Sequence, residues 1–523
     1  MHKISFLIVC FIFIFIIAAF NLYNLQIAKN FYYVQKAVAQ NTVNNSLTER
    51  GDIFLTDKNN TQILVATNRS FPIIYAVPQQ INNVDDVLNK LSPILNNTSS
   101  LFNALSNKQS MFRLLIDKAT DDQINFIQKE NIPGVYITDT IHRYYPFGTL
   151  ASNVVGFVGV NKLNVNPTGL YGIEKYYNSF LDDGNNIQLT IDSVLQNESE
   201  SLLQSLVTKF SASGGSIIIE DPISGKILAL ANMPNFDPNN YSQYPVSNFI
   251  NSAVQYVYEP GSVMKTFTMA AGFDLNLLTP TTTYIDTGKV VVSGKVINNW
   301  DLKAHGKINM YDVIANSLNV GAVFAESQIG NKNFLDYLQK FGFDKKTGID
   351  LPDEVSGNLN SLLGHNPPQV NFATASFGQG ISVTPLELIN AYSAIANGGI
   401  LLRPYVNKVL SPQIIGRVIA PKAAQEVISL LENAVNTAGV AAIPHYRIAG
   451  KSGTAQIPDL ESKGYSSSTI HTFVGFGPVS NPRFVALIKL DKPNQSLAGF
   501  TVVPAFKELA QFIINYYNLP PDK

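Results

Sequence analysis

Glu259-Pro260-Gly261-Ser262-Val263-Met264-Lys265 is the stretch that decides how this chain is read. Pro260-Gly261 ends the segment before it. Val263, Met264, Phe267 and Ala270-Ala271 then follow the apolar spacing of a buried helix. Serine and lysine at i and i+3 lie on one face of such a helix, a turn apart. A serine hydroxyl is a weak nucleophile and needs an adjacent base. A lysine amine can be that base only if its pKa falls well below ~10.4, which burial and nearby cations produce. The plain alternative is an ordinary helix start with an exposed lysine. On four residues alone, that alternative stands first.

Two more short motifs follow in order. Ser317-Leu318-Asn319 enters the apolar stretch Val320 to Ala325. Its hydroxyl can bridge two lysines and relay a proton, and the Asn319 amide can hold a peptide carbonyl. In isolation, helix capping by Ser317 or Asn319 explains it better. Lys451-Ser452-Gly453-Thr454 follows Tyr446 to Gly450 and precedes Ala455-Gln456-Ile457. Glycines on both sides of the lysine suggest a strand edge approached closely by another backbone. A lysine and two hydroxyls there suit a carboxylate terminus. A strand ending in a polar turn is the bland reading.

Further out, Gly215–Glu220, Asp221–Gly225 and Lys226–Leu230 read as strand, turn and strand. Thr384-Pro385-Leu386-Glu387 is a capping box with proline at the first helical position. Its helix should run through Leu388, Tyr392 and Ile395 and stop at Asn397-Gly398-Gly399. Arg483–Leu490 reads as a buried strand, and Pro504–Tyr516 as a terminal helix. In the first half, Ile53–Leu55 and Gln62–Val65 flank Asp57-Lys58-Asn59-Asn60 and read as a hairpin. Asp85–Leu91 and Asp121–Gln128 read as short helices, the first ended by Pro93. Strands and helices in this irregular order predict an α+β fold, an antiparallel sheet flanked by helices.

The three motifs together resemble the serine-x-x-lysine, serine-x-asparagine and lysine-threonine-glycine set of penicillin-binding proteins and serine β-lactamases, with Ser452 where threonine is commoner. Gly378-Gln379-Gly380 through Thr384-Pro385 to Asn397-Gly398-Gly399, and Phe473-Val474-Gly475-Phe476, are similar to the family's core. Arg50-Gly51-Asp52-Ile53, Arg143-Tyr144-Tyr145-Pro146 with Gly156 and Gly159, and Gly169-Leu170-Tyr171-Gly172-Ile173-Glu174 resemble the class B pedestal. That resemblance makes Arg50, Arg143 and Glu174 structural. It implies a serine D,D-transpeptidase cross-linking peptidoglycan stem peptides. Ser262 would be the nucleophile, Lys265 its base and Ser317 the relay. Asn319, Lys451, Ser452 and Thr454 would hold the substrate, with backbone N–H groups of Ser262 and Thr454 as the oxyanion hole. β-Lactams would acylate Ser262, and no metal or cofactor is implied. The ending Gly499–Phe506 and Leu519–Asp522 looks more like the division type, which works with a SEDS-family glycosyltransferase and division proteins. An elongation-type enzyme, a β-lactamase or β-lactam sensor, and a catalytically idle scaffold of the division machinery are the other readings.

Composition and length agree. A chain of 523 residues is expected to hold two or three domains, and 46% hydrophobic against 14% charged residues describes an ample core. A net charge of -1 lacks the basic footprint of a nucleic-acid binder. Ile4–Phe20 reads ISFLIVCFIFIFIIAAF, at the lower limit for crossing a bilayer and longer than a typical signal core. With Lys3 before it, a cytoplasmic N-terminus and an extracytoplasmic catalytic domain are expected, a single pass of the inner membrane. Cys10, the one cysteine, lies in that run, and the six histidines lack paired ligand spacing. The expected division is 1–22 anchor, 23–188 pedestal and 189–523 transpeptidase domain.

Overall fold

The computed structural model describes residues 50–95, 101–161, 164–459 and 464–523, together with Phe15. The expected anchor Ile4–Phe20 lies outside the described residues, Phe15 apart. Among the described residues no helix is long and apolar enough to cross a membrane. They form two compact units, one of Arg50 with residues 67–144, the other of residues 51–66 and 145–523.

The hairpin near Asp57 is present. Strand Ile53–Thr56 (β1) pairs antiparallel with the start of Ile63–Ala76 (β2). Asp57 Oδ1 accepts from the N–H groups of Asn59 and Thr61, both at 2.8 Å, which closes the turn. β2 is longer than the apolar run suggests, and from Thr67 onward it belongs to the smaller unit.

In that smaller unit, helix Val84–Leu91 (α1) is capped by the Asn83 side chain and ends before Pro93. Strand Arg113–Ile116 (β3) pairs antiparallel with β2. Helix Asp121–Glu130 (α2) starts at a capping box of Thr120 and Gln123. Strand Val135–Tyr144 (β4) runs antiparallel to β2 over ten residue pairs. Ile74, Leu88, Leu91, Ile127 and Val135 close a small core of their own. Arg143 is buried and donates to Asn68 Oδ1 at 3.4 Å.

The larger unit is built on a five-stranded antiparallel sheet. Strand Ile187–Asp192 (β5) runs parallel to β1, and Asp192 caps helix Ser193–Phe210 (α3). Strands Gly214–Glu220 (β6) and Ile227–Met233 (β7) are the expected strand–turn–strand pair. Helix Lys265–Asp274 (α4) follows the serine turn, and helix Asn319–Ile329 (α5) follows the second motif. Helix Pro385–Ala396 (α6) has the Thr384/Glu387 capping box, stops before Asn397 and is buried at every position. Helix Pro421–Ala438 (α7) leads to strands Ala449–Asp459 (β8), Gly464–Gly477 (β9) and Phe484–Asp491 (β10). The terminal helix Val502–Tyr517 (α8) starts two residues before Pro504. Proline fits there because first-turn N–H groups have no helical partner.

The strand order is β8-β9-β10-β6-β7. Alternation sends Ile218, Val474 and Leu487 to one face, in one core with residues of α4 and α6. Ile217, Ile219, Phe473 and Ile488 go to the other face, with residues of α3 and α8. Helix, sheet and helix layers make this an α+β fold. The lysine-bearing strand β8 is its edge.

One buried group has no catalytic use. Glu220, at the end of β6, is fully buried, and neither carboxylate oxygen meets a hydrogen-bond partner in good geometry. Burial, opposed by the Ser393 hydroxyl and helped by the adjacent Asp221 charge, pushes its pKa up to about 8. The folded value exceeds the unfolded one, so its contribution to stability is full in acid and is lost as pH rises through about 8. Glu220→Gln should remove that pH-dependent loss, worth about 3–5 kcal/mol at alkaline pH. Urea unfolding across pH checks it.

Candidate active site

Three elements converge on one amine. The chain reaches the first of them at Tyr258, which exchanges two backbone hydrogen bonds of 3.0 Å with Val383. Gly261 then takes a φ of +63°, and Gly261–Met264 forms a 3-10 turn that leads into α4. The pattern predicts an α-helix from Val263, whereas the serine sits on this tighter turn. Its cause is crowding from outside. Gly261 N donates to Gly378 O at 3.0 Å, and Gly378 itself has a φ of +84°. A Cβ on Gly378 would stand 2.1 Å from Gly261 O, so only glycine fits. Gly378→Ala should therefore destabilise the protein by roughly 3 kcal/mol, read from the urea midpoint.

Strand β8 closes on the same turn. A Cβ on Gly453 would lie 2.9 Å from Pro260 O and 3.3 Å from Val263 Cγ1. This is the close backbone approach that glycines around Lys451 predict. Lys451 is 3% exposed, and its Nζ donates to Ser317 Oγ at 3.1 Å and Ser452 O at 2.9 Å. Burial lowers its pKa to about 8. Thr454 Oγ1 accepts from Ala498 N at 3.1 Å, so part of its hydroxyl capacity holds the loop before α8.

Ser317 does not cap the helix that follows it but ends the one before, Met310–Ala315, where Leu318 N donates to Val313 O at 3.0 Å and Ser317 N to Ile314 O at 3.3 Å. It has a φ of +54°, in the left-handed region, and α5 starts after Leu318 with no side-chain cap from its own N-cap residue. This conformation turns both the carbonyl and the hydroxyl of Ser317 toward Lys265.

Lys265 is completely buried on α4. Its Nζ lies 3.0 Å from Ser262 Oγ, 2.6 Å from Ser317 O, 2.9 Å from Asn319 Oδ1 and 3.3 Å from Ser317 Oγ. Burial first, and the Lys451 charge second, hold its pKa well below the ordinary lysine value. Donor counting agrees with a neutral amine. Ser317 O and Asn319 Oδ1 can only accept, and a neutral amine has two N–H groups for them. Its lone pair is then left for the Ser262 hydroxyl proton. The arrangement can deprotonate a serine and pass protons through Ser317 between two lysines.

All seven side chains singled out from the sequence belong to this larger unit, and Ser262, Lys265, Ser317, Asn319 and Lys451 are joined by the hydrogen bonds above. Ser452 and Thr454 share the strand with Lys451. Neighbours to which the sequence assigned no role in the site complete the surroundings. Tyr392 OH donates to Val263 O at 2.9 Å and pairs with Thr266 Oγ1 at 2.7 Å, bracing the serine turn from α6. Glu259 accepts from Gly380 N and Tyr465 OH, both at 3.0 Å, beside a groove of about 350 Å³ lined also by Asn358, Ser361, Gln456 and Ile470. Burial lowers the His471 pKa to about 4, so this residue opposite Thr454 on β9 is neutral.

Residues 215–511 match the family model for the penicillin binding protein transpeptidase domain, and residues 46–204 match that for the penicillin-binding protein dimerisation domain. Stage V sporulation protein D of Bacillus subtilis is 31% identical over 498 residues, covering 86% of this chain and 75% of that protein. The peptidoglycan D,D-transpeptidase FtsI of Escherichia coli is 26% identical over 517 residues, covering 91% and 85%. The crystal structure of apo penicillin binding protein 3 from Mycobacterium tuberculosis superposes with a TM-score of 0.66 at 28% identity, covering 73% of this chain and 92% of that one.

Proposed function

Because this chain belongs to the class B penicillin-binding proteins, we propose that it is a peptidoglycan D,D-transpeptidase that cross-links stem peptides of the septal wall through an acyl-enzyme on Ser262. The observation that carries this reading is Ser262 Oγ held 3.0 Å from the buried amine of Lys265, whose pKa burial and then the Lys451 charge hold well below the ordinary lysine value.

Lys265 takes the Ser262 proton as Oγ attacks the carbonyl of the penultimate D-Ala. The C–N bond to the terminal D-Ala then breaks. Its nitrogen leaves with a proton delivered by Ser317, which Lys451 and Lys265 both touch. Backbone N–H groups of Ser262 and Thr454 serve the oxyanion, a donor type typically worth ~2.7–4 kcal/mol each. Lys451, Ser452 and Thr454 hold the departing carboxylate, and Asn319 holds the peptide. An amine from a neighbouring stem peptide then takes the acyl group and frees Ser262. A β-lactam enters the first half-reaction and stays attached.

The same reading gives residues 4–20 the role of an inner-membrane anchor, with the catalytic domain outside. Residues 23–188 act as pedestal and 189–523 as the transpeptidase domain. A SEDS-family glycosyltransferase and division proteins are the proposed partners. The apolar run of 17 residues and the FtsI likeness support this part.

The test is intact-protein mass after incubation with benzylpenicillin, with the adduct mapped by peptide digestion. One adduct on the peptide carrying Ser262 is expected. A folded preparation that gains no mass, or gains it elsewhere, ends the reading, and rapid loss of the adduct by hydrolysis would make the protein a β-lactamase.

A further inference from the structure

The loop that carries Ser317 and Asn319 is held from two sides, the first being its own neighbourhood: where helix Met310–Ala315 ends, Leu318 N donates to Val313 O at 3.0 Å and Ser317 N to Ile314 O at 3.3 Å. A non-glycine residue keeps the left-handed region only where such contacts impose it, and this helix end supplies the first of them. The second hold comes from one short segment 16 to 21 residues earlier in the chain. Strands Lys289–Val292 and Lys295–Asn298 pair antiparallel, and the chain leaves them through Asn298, Asn299 and Trp300. Each of these three residues makes one hydrogen bond to the 316–320 loop. Trp300 Nε1 donates to Asn316 O at 2.9 Å. Asn298 O accepts from Asn319 Nδ2 at 3.0 Å. Asn299 Oδ1 accepts from Val320 N at 3.1 Å, capping α5 from another part of the chain.

The middle residue is itself fixed. Asn299 is 1% exposed, and its Nδ2 donates to both oxygens of Asp286, at 3.1 and 2.9 Å, and to Lys303 O at 3.2 Å. Asp286, equally buried, also accepts from Tyr284 OH at 3.2 Å and His305 N at 2.9 Å. A buried carboxylate with this many donors is held firmly.

One of the four oxygens around Lys265 Nζ, Asn319 Oδ1, is oriented by these contacts, and a second, Ser317 O, lies on the segment they brace between Asn316 and Asn319. The Asn298 carbonyl also fixes the Asn319 amide, because only its nitrogen can face Asn298. Oδ1 is thereby turned to Lys265, and one Nδ2 hydrogen stays free for a substrate carbonyl.

We propose that Asn298, Asn299 and Trp300, anchored on Asp286, form a positioning clamp that sets the rate at which Ser262 is acylated by holding Ser317 and Asn319 against Lys265. This inference rests on the acyl-enzyme reading above. It adds residues that touch neither the nucleophile nor the base.

The experiment follows acylation of the full chain by a fluorescent penicillin in stopped flow, separating the non-covalent dissociation constant from the acylation rate constant. Trp300→Phe keeps an aromatic ring at a position 59% exposed and removes one N–H donor, so the fold is not threatened. Its acylation rate constant should fall about tenfold, with the dissociation constant changed less than about twofold. Asn299→Leu should cost roughly 30- to 100-fold. The reciprocal double variant Asp286→Asn with Asn299→Asp keeps one amide and one carboxylate paired and should recover most of that loss. Acylation of Trp300→Phe at the wild-type rate overturns the clamp. So does a loss that appears only in the dissociation constant, or a double variant no faster than Asn299→Leu. A wild-type protein that never acylates ends the Ser262 reading instead.

Discussion

Substituting Ser262 with alanine should abolish the benzylpenicillin adduct completely while leaving a folded protein. The hydroxyl is half-buried, and its hydrogen bond is to Lys265 Nζ. That amine keeps Ser317 O and Asn319 Oδ1 as acceptors in the variant. No buried donor is left stranded, and the urea midpoint should shift by less than about 1 kcal/mol. Deleting the nucleophile of a serine acyl-transfer enzyme removes roughly six orders of magnitude of rate. Both readouts matter. An adduct that survives in Ser262→Ala assigns the nucleophile elsewhere, whereas an unfolded variant would indicate a structural role for the hydroxyl.

The second large effect belongs to Lys265. Lys265→Met keeps the volume and the apolar stem but removes the base, and acylation should fall by roughly 10³–10⁴. The pH profile gives a sharper test. Lys265 acts as a base only when neutral, and its pKa is held well below the ordinary value by burial and by Lys451. Acylation by penicillin should therefore rise with pH through that lowered value. Lys451 is needed as a cation for the carboxylate, so the rate should decline as pH passes about 8. The two amines share Ser317 and interact, so the limbs of this bell belong to the pair. Lys265→Met should flatten the rising limb of the residual reaction. An unchanged rising limb would remove Lys265 from the role of base.

Much of this site was legible in the chain itself, for a physical reason. The chemistry needs a hydroxyl, two amines and an amide, and the spacing of Ser262 to Lys265 is a local property of a helical turn. The capping box at Thr384, the hairpin around Asp57 and the buried strand before Asp491 are likewise short-range patterns. What stayed hidden depends on backbone meeting backbone across long sequence separations. Gly378 draws Gly261 into a positive φ and tightens the turn under Ser262. Ser317 reads as a cap of the helix after it, whereas it ends the helix before it, and its flanking residues are braced by the Asn298–Trp300 segment. Tyr392 lies in an apolar helix, and nothing local marks its hydroxyl as the partner of Val263 O. The 3-10 turn and the burial of Glu220 both owe their state to neighbours the chain reaches only after folding.

The order β8-β9-β10-β6-β7 also has a consequence for how the protein comes into being. β6 lies beside β10, whose residues follow it by more than half the length of the chain. β8, which brings Lys451 to Ser317, is attached to the sheet only through β9 and then β10. Such late, long-range pairing must wait until almost the whole polypeptide has been made. A nascent chain halted before Phe484 already contains every residue of the reactive cluster, yet lacks β10, the strand that joins the β8–β9 pair to β6. The sheet that carries the reactive cluster is thus completed only by the final stretch of the chain to be made.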